Sequence, residues 1–266
     1  MSTSPTLPVS LAANPRLSSW IRFAADGEVT VSPGKVEIGQ GIVTALAQIA
    51  ADELDIDIVR VRMVRASTAA SPNEGVTSGS LSIQQSGRAL RHACAEIRRI
   101  FLVAAADRFG VETRALEISD GTIHGPGNIS TSYWELADEV SLDRDATPGA
   151  TPKPVARRAL AGHSAARLDI PDKVFAQPRF IHDTALPGLL HGRVMRPELS
   201  RAKLAGLDET AARAVPGLIA IVRDGSFSGV VCDTERAAEA ALRGLRNARH
   251  GRKAKPCRTK TISRLS

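Results

Sequence analysis

The early part of the chain alternates between two spacings of apolar residues, one strand-like and one helical. Residues 19–31, SWIRFAADGEVTV, predict two short strands joined by a turn at Asp26-Gly27. Residues 35–38, KVEI, predict a further strand that Gly39-Gln40-Gly41 interrupts. In IVTALAQIAADELD the residues Ile42, Leu46, Ile49, Ala50 and Leu54 recur near helical spacing, which predicts a helix of about three turns. IDIVRVRMV then reads as a strand. Residues 65–82 have no apolar period and are rich in Ser, Thr and Gly, a long stretch against the roughly 4–6 residues of an ordinary connection. A long helix is predicted from Leu81 or Ser82 to Phe109, with apolar positions including Ile83, Leu90, Ala93, Ile97 and Phe101, and with Gly110 as its C-cap.

Farther on, ALEISDGTIHG predicts a hairpin turning at Asp120-Gly121, and SYWELADEV a short helix starting after Ser132. Residues 141–169 carry Pro148, Pro152 and Pro154 and read as a linker. A second unit starts near Ile170. It contains strands in LLHGRVMRPEL, LIAIVRDG and FSGVVC, a short helix in LDETAARAV, and a helix in DTERAAEAALRGL capped by Asp233 or Thr234. The pattern as a whole is α+β in two units, the second spanning 170–245.

Charge alters this picture only at the end of the chain. The net charge is +7, but residues 241–266 hold 9 of the 35 Lys and Arg and no acid, leaving 26 bases against 28 acids before them. Positive charge is therefore a property of residues 246–266, which read as a basic tail, either disordered or translated out of frame. No basic groove interleaved with aromatics is present, so a nucleic-acid-binding domain is not expected. Aromatics make up 3% of the chain, so the cores must rely on Leu, Ile, Val and Ala. The three cysteines, Cys94, Cys232 and Cys257, show no C-x-x-C spacing, and their odd number favours a reducing, cytoplasmic setting. Neither a signal peptide nor a membrane span is predicted.

Candidate chemistry gathers at two glycine-rich places. In EIGQG, the two glycines permit a tight turn, Gln40 offers an amide donor and acceptor, and the following helix start favours a polar or anionic ligand. The plain alternative is a strand-to-helix turn with an exposed glutamine. In SPNEGVTSGSLS, the hydroxyls of Thr77, Ser80 and Ser82 precede the long helix, and Gly79 permits close approach. One serine would suffice as an N-cap, so the surplus of hydroxyls points to a phosphate cradle. Together the two places predict binding of a polar, phosphate-bearing organic ligand. No histidine–carboxylate–nucleophile arrangement and no metal-ligand spacing is evident. Cys94 reads as a buried small hydrophobe, and Trp20 and Trp134 as packing anchors.

Taken in order, NPRLSSWIRFAADGEVTVSPGKVEIGQGIVTALAQIAADELDID, SPNEGVTSGSLS, RLDIPDKVFAQPRFIHDTALPGLLHGRVMRPELSRAKL and VPGLIAIVRDGSFSGVVC resemble the molybdopterin-binding large subunit of the xanthine dehydrogenase and aldehyde oxidase family, in its isoquinoline 1-oxidoreductase and nicotinate dehydrogenase-like branch. The resemblance implies a partial molybdopterin-binding domain over 14–140, followed by a small hammerhead-like α+β domain over 170–245. It implies a molybdenum–pyranopterin cofactor, in bacteria often a cytosine dinucleotide, and hydroxylation of an aromatic heterocycle or aldehyde with oxygen from water. The implied partner is a small iron–sulfur subunit. Gly39, Gln40 and Gly41 are similar to the family's pterin-contacting loop, and Thr77, Ser78, Gly79, Ser80 and Ser82 to its cofactor-cradling loop. The family's GGGFG-like segment and its late catalytic glutamate have no counterpart in this sequence. The resemblance therefore implies an N-terminal part of a large subunit, inactive alone and completed by a separately encoded remainder. A noncatalytic cofactor-binding or assembly protein is the alternative, and a structural protein with a nucleic-acid-contacting tail is a third reading.

Overall fold

The Asp26-Gly27 turn folds β1 (Ile21–Phe23) back on β2 (Val29–Val31) in the antiparallel register Ile21↔Val31. The computed structural model describes residues 6–197, 202–247 and 249–252. They divide into two units, the first ending at Gln177 and the second beginning at Pro178.

The first unit opens with the short helix α1 (Val9–Ala13) ahead of this hairpin. After β2 the chain passes through α2 (Ile42–Leu54) and returns as β3 (Val61–Met63), which pairs with β2 in parallel, Val29 facing Val61. α3 (Arg88–Phe109) packs along α2 and ends at Gly110, whose φ of 65° is the left-handed cap expected of glycine there. One turn of π-helix, Ile83–Gly87, leads into it. β4 (Glu117–Ser119), β5 (Thr122–His124) and β6 (Ser130–Ser132) form an antiparallel meander, and Asp120-Gly121 makes its first turn with both residues at positive φ. The hydroxyl of Ser132 accepts from Glu135 N at 3.1 Å and starts α4 (Tyr133–Leu136). α5 (Ile170–Val174) closes the unit.

The core of this unit lies between the sheet, α2 and α3. Leu11, Trp20, Ile21, Val29, Leu46, Leu54, Leu90, Cys94, Ile97 and Phe101 are buried in it. The scarce aromatics are concentrated there: Phe23, Phe101 and Tyr133 meet with ring centroids 4.8–5.1 Å apart. The Tyr133 hydroxyl donates to the Leu54 carbonyl at 3.0 Å, so its buried polar end is satisfied. Burial pushes the Cys94 thiol well up, as befits a packing residue.

The structure corrects three expectations. KVEI is not a strand. Its backbone donors go to side chains instead: Val36 N to Thr77 Oγ1 at 3.0 Å and Ile38 N to Gln40 Oε1 at 2.6 Å. Residues 141–169 are not a free linker but pack on the first unit. Asp52 accepts from the backbone N–H groups of Ala159, Leu160 and Ala161 at 2.7–2.9 Å, Glu53 accepts from Lys153 N, and Glu96 from Thr147. The segment has a single turn of 3-10 helix, Val155–Arg157, so the N–H groups of its non-proline residues are left to pair with carboxylates on the neighbouring helices. The boundary between units accordingly falls after Gln177 rather than near Ile170.

The second unit contains β7 (His191–Val194), β8 (Lys203–Leu207), α6 (Thr210–Arg213), β9 (Leu218–Asp224), β10 (Phe227–Cys232), α7 (Glu235–Asn247) and β11 (Arg249–Arg252). β10 lies between β7 and β9, antiparallel to both. The Thr234 hydroxyl accepts from Ala237 N at the start of α7. α7 packs its Ala238, Ala241, Leu242 and Leu245 with Val230, Cys232 and Ala212. The third correction concerns the tail: Arg249–Arg252 pairs antiparallel with β8. Main-chain hydrogen bonds at a strand edge do not require apolar side chains, so composition hid this strand. The rest of the basic tail, 253–266, lies outside the described residues. No helix among the described residues is long and apolar enough to cross a membrane.

Several carboxylates of the first unit couple its stability to pH. Burial would raise the Asp52 carboxyl, but the N–H groups of Ala161, Leu160 and Ala159 outweigh it and hold it below the usual range. A bond from Arg60 lowers Asp120, and bonds from Arg167 and then Lys173 lower Asp169. Groups whose folded pKa is depressed stabilise fully above the unfolded value and lose that contribution as pH falls through the folded one. The urea midpoint of the protein is therefore expected to hold its carboxylate contribution down to about pH 4–5 and fall steadily below. A midpoint that rises on acidification from pH 5 to pH 3 would contradict this.

Candidate functional site

Parallel pairing of β2 and β3 sends both glycine-rich segments out of the same sheet edge, since each follows the C-terminal end of one of these strands. The Val64 N–H continues the ladder to the Val31 carbonyl at 2.8 Å, so the two exits lie side by side. The loop after β2 carries Gly39, Gln40 and Gly41, and the loop after β3 carries Thr77 to Ser82.

Lys35 ties the loops together. Its side chain is buried, 3% exposed, and Nζ donates to the Glu74 carbonyl at 2.7 Å, the Val76 carbonyl at 3.1 Å and Gln85 Oε1 at 3.2 Å. Glu74, 8% exposed, works in the opposite direction: its Oε2 accepts from Gly34 N at 2.8 Å and from Ser86 Oγ at 2.7 Å. Gly34 has to be glycine, because a Cβ there would lie 2.1 Å from the Pro72 carbonyl oxygen. Thr77, placed in the sequence among the ligand hydroxyls, serves this junction by accepting from Val36 N.

The Gly39-Gln40-Gly41 turn is fastened from within. The Glu37 carboxylate accepts from Gly39 N at 2.8 Å, Gly41 N at 3.0 Å and Val43 N at 3.2 Å. Burial works to raise the Glu37 carboxyl, yet these N–H bonds prevail and lower it. The first turn of α2 was expected to welcome an anionic ligand, but Glu37 already occupies it. Gln40 also bonds within its own loop, Oε1 accepting from Ile38 N and Nε2 donating to the Val36 carbonyl at 2.8 Å. Gly41, at φ 80°, is the N-cap of α2. Arg167 closes the turn from outside by donating to the Gly39 carbonyl at 3.2 Å, and it is held by the fully buried Asp169 at 2.7 Å.

The second loop is different. Ser78, Gly79 and Ser80 are exposed, and Gly79 and Ser80 both lie at positive φ, 65° and 58°. Among the described residues neither the hydroxyls of Ser78, Ser80 and Ser82 nor the N–H groups of Ser78, Gly79 and Ser80 have a protein partner, and Ser82 does not cap the helix that follows. The simple capping alternative therefore does not account for these serines. Successive N–H groups around residues in the left-handed region, flanked by hydroxyls, form a donor set suited to phosphate and to the oxygen and nitrogen atoms of a pterin. The fit to such a group thus rests on Ser78 to Ser82 more than on the turn at Gln40. Among the described residues no group of three or more His, Cys, Asp or Glu is arranged to hold a metal ion.

Sequence reasoning missed Lys35, Glu74, Arg167 and Asp169. The only hint was a lysine enclosed by Gly34 and Val36, next to a loop rich in carbonyl acceptors. Glu37 stands two residues before Gly39 in the sequence, and its capping role becomes visible only in three dimensions.

The sequence profile of the molybdopterin cofactor-binding domain matches residues 2–160, and the chain belongs to that family. A nicotinate dehydrogenase subunit of Pseudomonas putida is 35% identical over 257 residues, covering 92% of this chain and 22% of that protein. The beta subunit of isoquinoline 1-oxidoreductase of Brevundimonas diminuta is 29% identical, covering 81% of this chain and 32% of its own length. The chain thus spans under a third to about a fifth of these relatives. Among solved structures, the CO dehydrogenase of Oligotropha carboxidovorans aligns with 44% of this chain and 15% of its own, at TM-score 0.40 and 29% identity. This is homology to the xanthine dehydrogenase and aldehyde oxidase superfamily and to the large subunits of molybdenum hydroxylases.

Proposed function

We propose that the chain is the cofactor-cradling part of a molybdenum hydroxylase large subunit, in the branch of nicotinate dehydrogenase and isoquinoline 1-oxidoreductase. The assembled enzyme oxidises an aromatic N-heterocycle or an aldehyde. The observation that carries the reading is the pair of loops leaving one sheet edge, one of them with hydroxyls and N–H groups not used in the fold.

In this reading Ser78, Gly79, Ser80 and Ser82 hold the molybdenum–pyranopterin, in its cytosine dinucleotide form, through their hydroxyl and N–H donors. Gly39, Gln40 and Gly41 face it from the other loop, and Thr77 with Lys35 keeps the two loops in register. When bound, the group supplies the redox centre at which oxygen from water reaches the substrate. Glu37 does not act as the base, because its carboxylate is spent on three N–H groups of the turn. The rest of the large subunit contributes the catalytic glutamate, and a small iron–sulfur subunit takes the electrons. Val36, Ile38 and Val76, apolar yet 46%, 69% and 77% exposed beside the loops, suit a covering protein surface. The second unit, which begins at Pro178, serves as the hammerhead-like domain, and the assembly works in the cytoplasm.

The test is co-expression with the products of adjoining genes, followed by molybdenum and pterin analysis of the purified complex. One molybdenum and one pterin per chain are expected. Gly79→Val, which places a side chain at positive φ in the second loop, is expected to lower pterin content about tenfold while the complex still assembles. A complex devoid of pterin, or full pterin content in Gly79→Val, would overturn the reading.

A further inference from the structure

A second set of donors lies apart from these loops, on the flank of the π-turn and α3. An open cavity of about 450 Å³ is bounded there by Arg88, Arg91 and His92 of α3, by Thr6 and Pro8 near the start of the chain, and by Pro152 and Arg158 of the proline-rich segment; Ile49, Ile83 and Gly87 complete its wall. Three guanidinium groups line it and no carboxylate does.

Each of the basic groups has a different commitment. Arg91 donates to Glu53 at 3.2 Å, and Glu53 is shared with Arg98, so this charge is compensated. Arg158 gives Nη2 to the Lys153 carbonyl at 3.3 Å, while its Nε is shielded from solvent and has no acceptor among the described residues. Arg88 is exposed and has no ion pair among the described residues. His92, 8% exposed, meets the Thr147 carbonyl through Nε2 at 2.9 Å. A carbonyl only accepts, so Nε2 carries hydrogen and Nδ1 is left over. Arg88, Arg91 and His92 stand three and four positions apart, on one face of the helix.

The geometry points to a binding site for a small phosphorylated organic anion, distinct from the two glycine-rich loops. Arg88 and Arg158 hold the phosphate, with their charges not offset by any acid in the wall. Arg158 brings to the wall a charge that no acid there offsets, and a guanidinium bonds an anionic oxygen more strongly than a neutral acceptor. The cavity is larger than a phosphate needs and lies at the lower end of the range for organic ligands. The apolar side, made by Pro8, Ile49, Ile83 and Pro152, receives the organic body.

Phenyl phosphate, inorganic phosphate and phenol are the probes, each titrated calorimetrically into the full chain at low ionic strength. Phenyl phosphate is expected to bind saturably at one site, at least about tenfold more tightly than inorganic phosphate, with phenol silent. Arg88→Met and Arg158→Met are each expected to weaken it at least about tenfold, the usual worth of one charge-assisted bond. Arg88 is exposed, so its variant keeps the fold, and an unchanged melting temperature verifies that. No saturable binding, or equal affinity for phosphate and phenyl phosphate, would overturn the proposal. So would undiminished binding in both variants, which would instead direct the phosphate to Ser78–Ser82.

Discussion

Replacing Glu53 with alanine is expected to destabilise the protein by about 3–5 kcal/mol, the cost of breaking a buried ion pair from one side. Glu53 is fully buried at the C-terminal end of α2, where its oxygens meet Arg91 and Arg98, each at 3.2 Å. The same carboxylate accepts from Lys153 N at 2.9 Å. Its loss leaves the largely buried Arg91 guanidinium without its ion-pair partner, leaves Arg98 with Asp55 alone at 3.6 Å, and removes one of the carboxylates that hold the proline-rich segment. The measurement is urea unfolding monitored through Trp20, which is fully buried in this unit. A change below about 1 kcal/mol would show that solvent replaces the carboxylate and that the segment is held by its other contacts.

Lys35→Met is expected to cost about 2–3 kcal/mol and to separate the two loops. Methionine fills a similar volume but leaves the Glu74 and Val76 carbonyls and Gln85 Oε1 without their donor. Each unsatisfied buried acceptor costs about 1–3 kcal/mol, and removing the desolvation burden of a buried ammonium returns part of the sum. The local signature is more telling than the midpoint. Proteolysis within residues 65–82 should quicken severalfold in the variant, because Lys35 holds that loop at Glu74 and Val76. Unchanged cleavage together with an unchanged midpoint would remove Lys35 from this role.

Local chemistry made much of the first unit readable in advance. Asp26-Gly27, Gly110, Asp120-Gly121 and Ser132 each act within a few residues of themselves. Their turns and caps formed where the sequence placed them. The same holds for Ile42–Leu54, whose apolar period matches the face buried against the sheet and α3. KVEI failed because strand propensity says nothing about whether a partner edge is available. Its donors found Thr77 and Gln40 instead of a neighbouring strand. Residues 141–169 failed because proline content reports the absence of regular structure, not the absence of packing. Asp52, Glu53 and Glu96 hold that segment from about 50 to 110 positions away.

The candidate site divides along the same line. Gly39-Gln40-Gly41 and Thr77 to Ser82 were legible as two unusual glycine-rich places, and their order along the chain was enough to suggest a family. Their adjacency was not legible, because it depends on the parallel pairing of β2 with β3 and on Lys35 reaching across 39–50 positions. The division of labour between the loops was hidden as well. Gln40 and the start of α2, the more conspicuous motif, are occupied by their own neighbours, whereas the serines retain their donors.

The sequence by itself determined the long helices, the hairpin turns, the α+β class and the identity of the two loops, because periodicity, caps and glycine are properties of neighbouring residues, whereas the short helices Val9–Ala13 and Ile170–Val174 left no such period. Only the tertiary structure decided which donors remain for a ligand. A hydrogen bond removes a group from use whenever a partner from anywhere in the chain comes within about 3 Å, and that proximity is set by the packing of the whole unit.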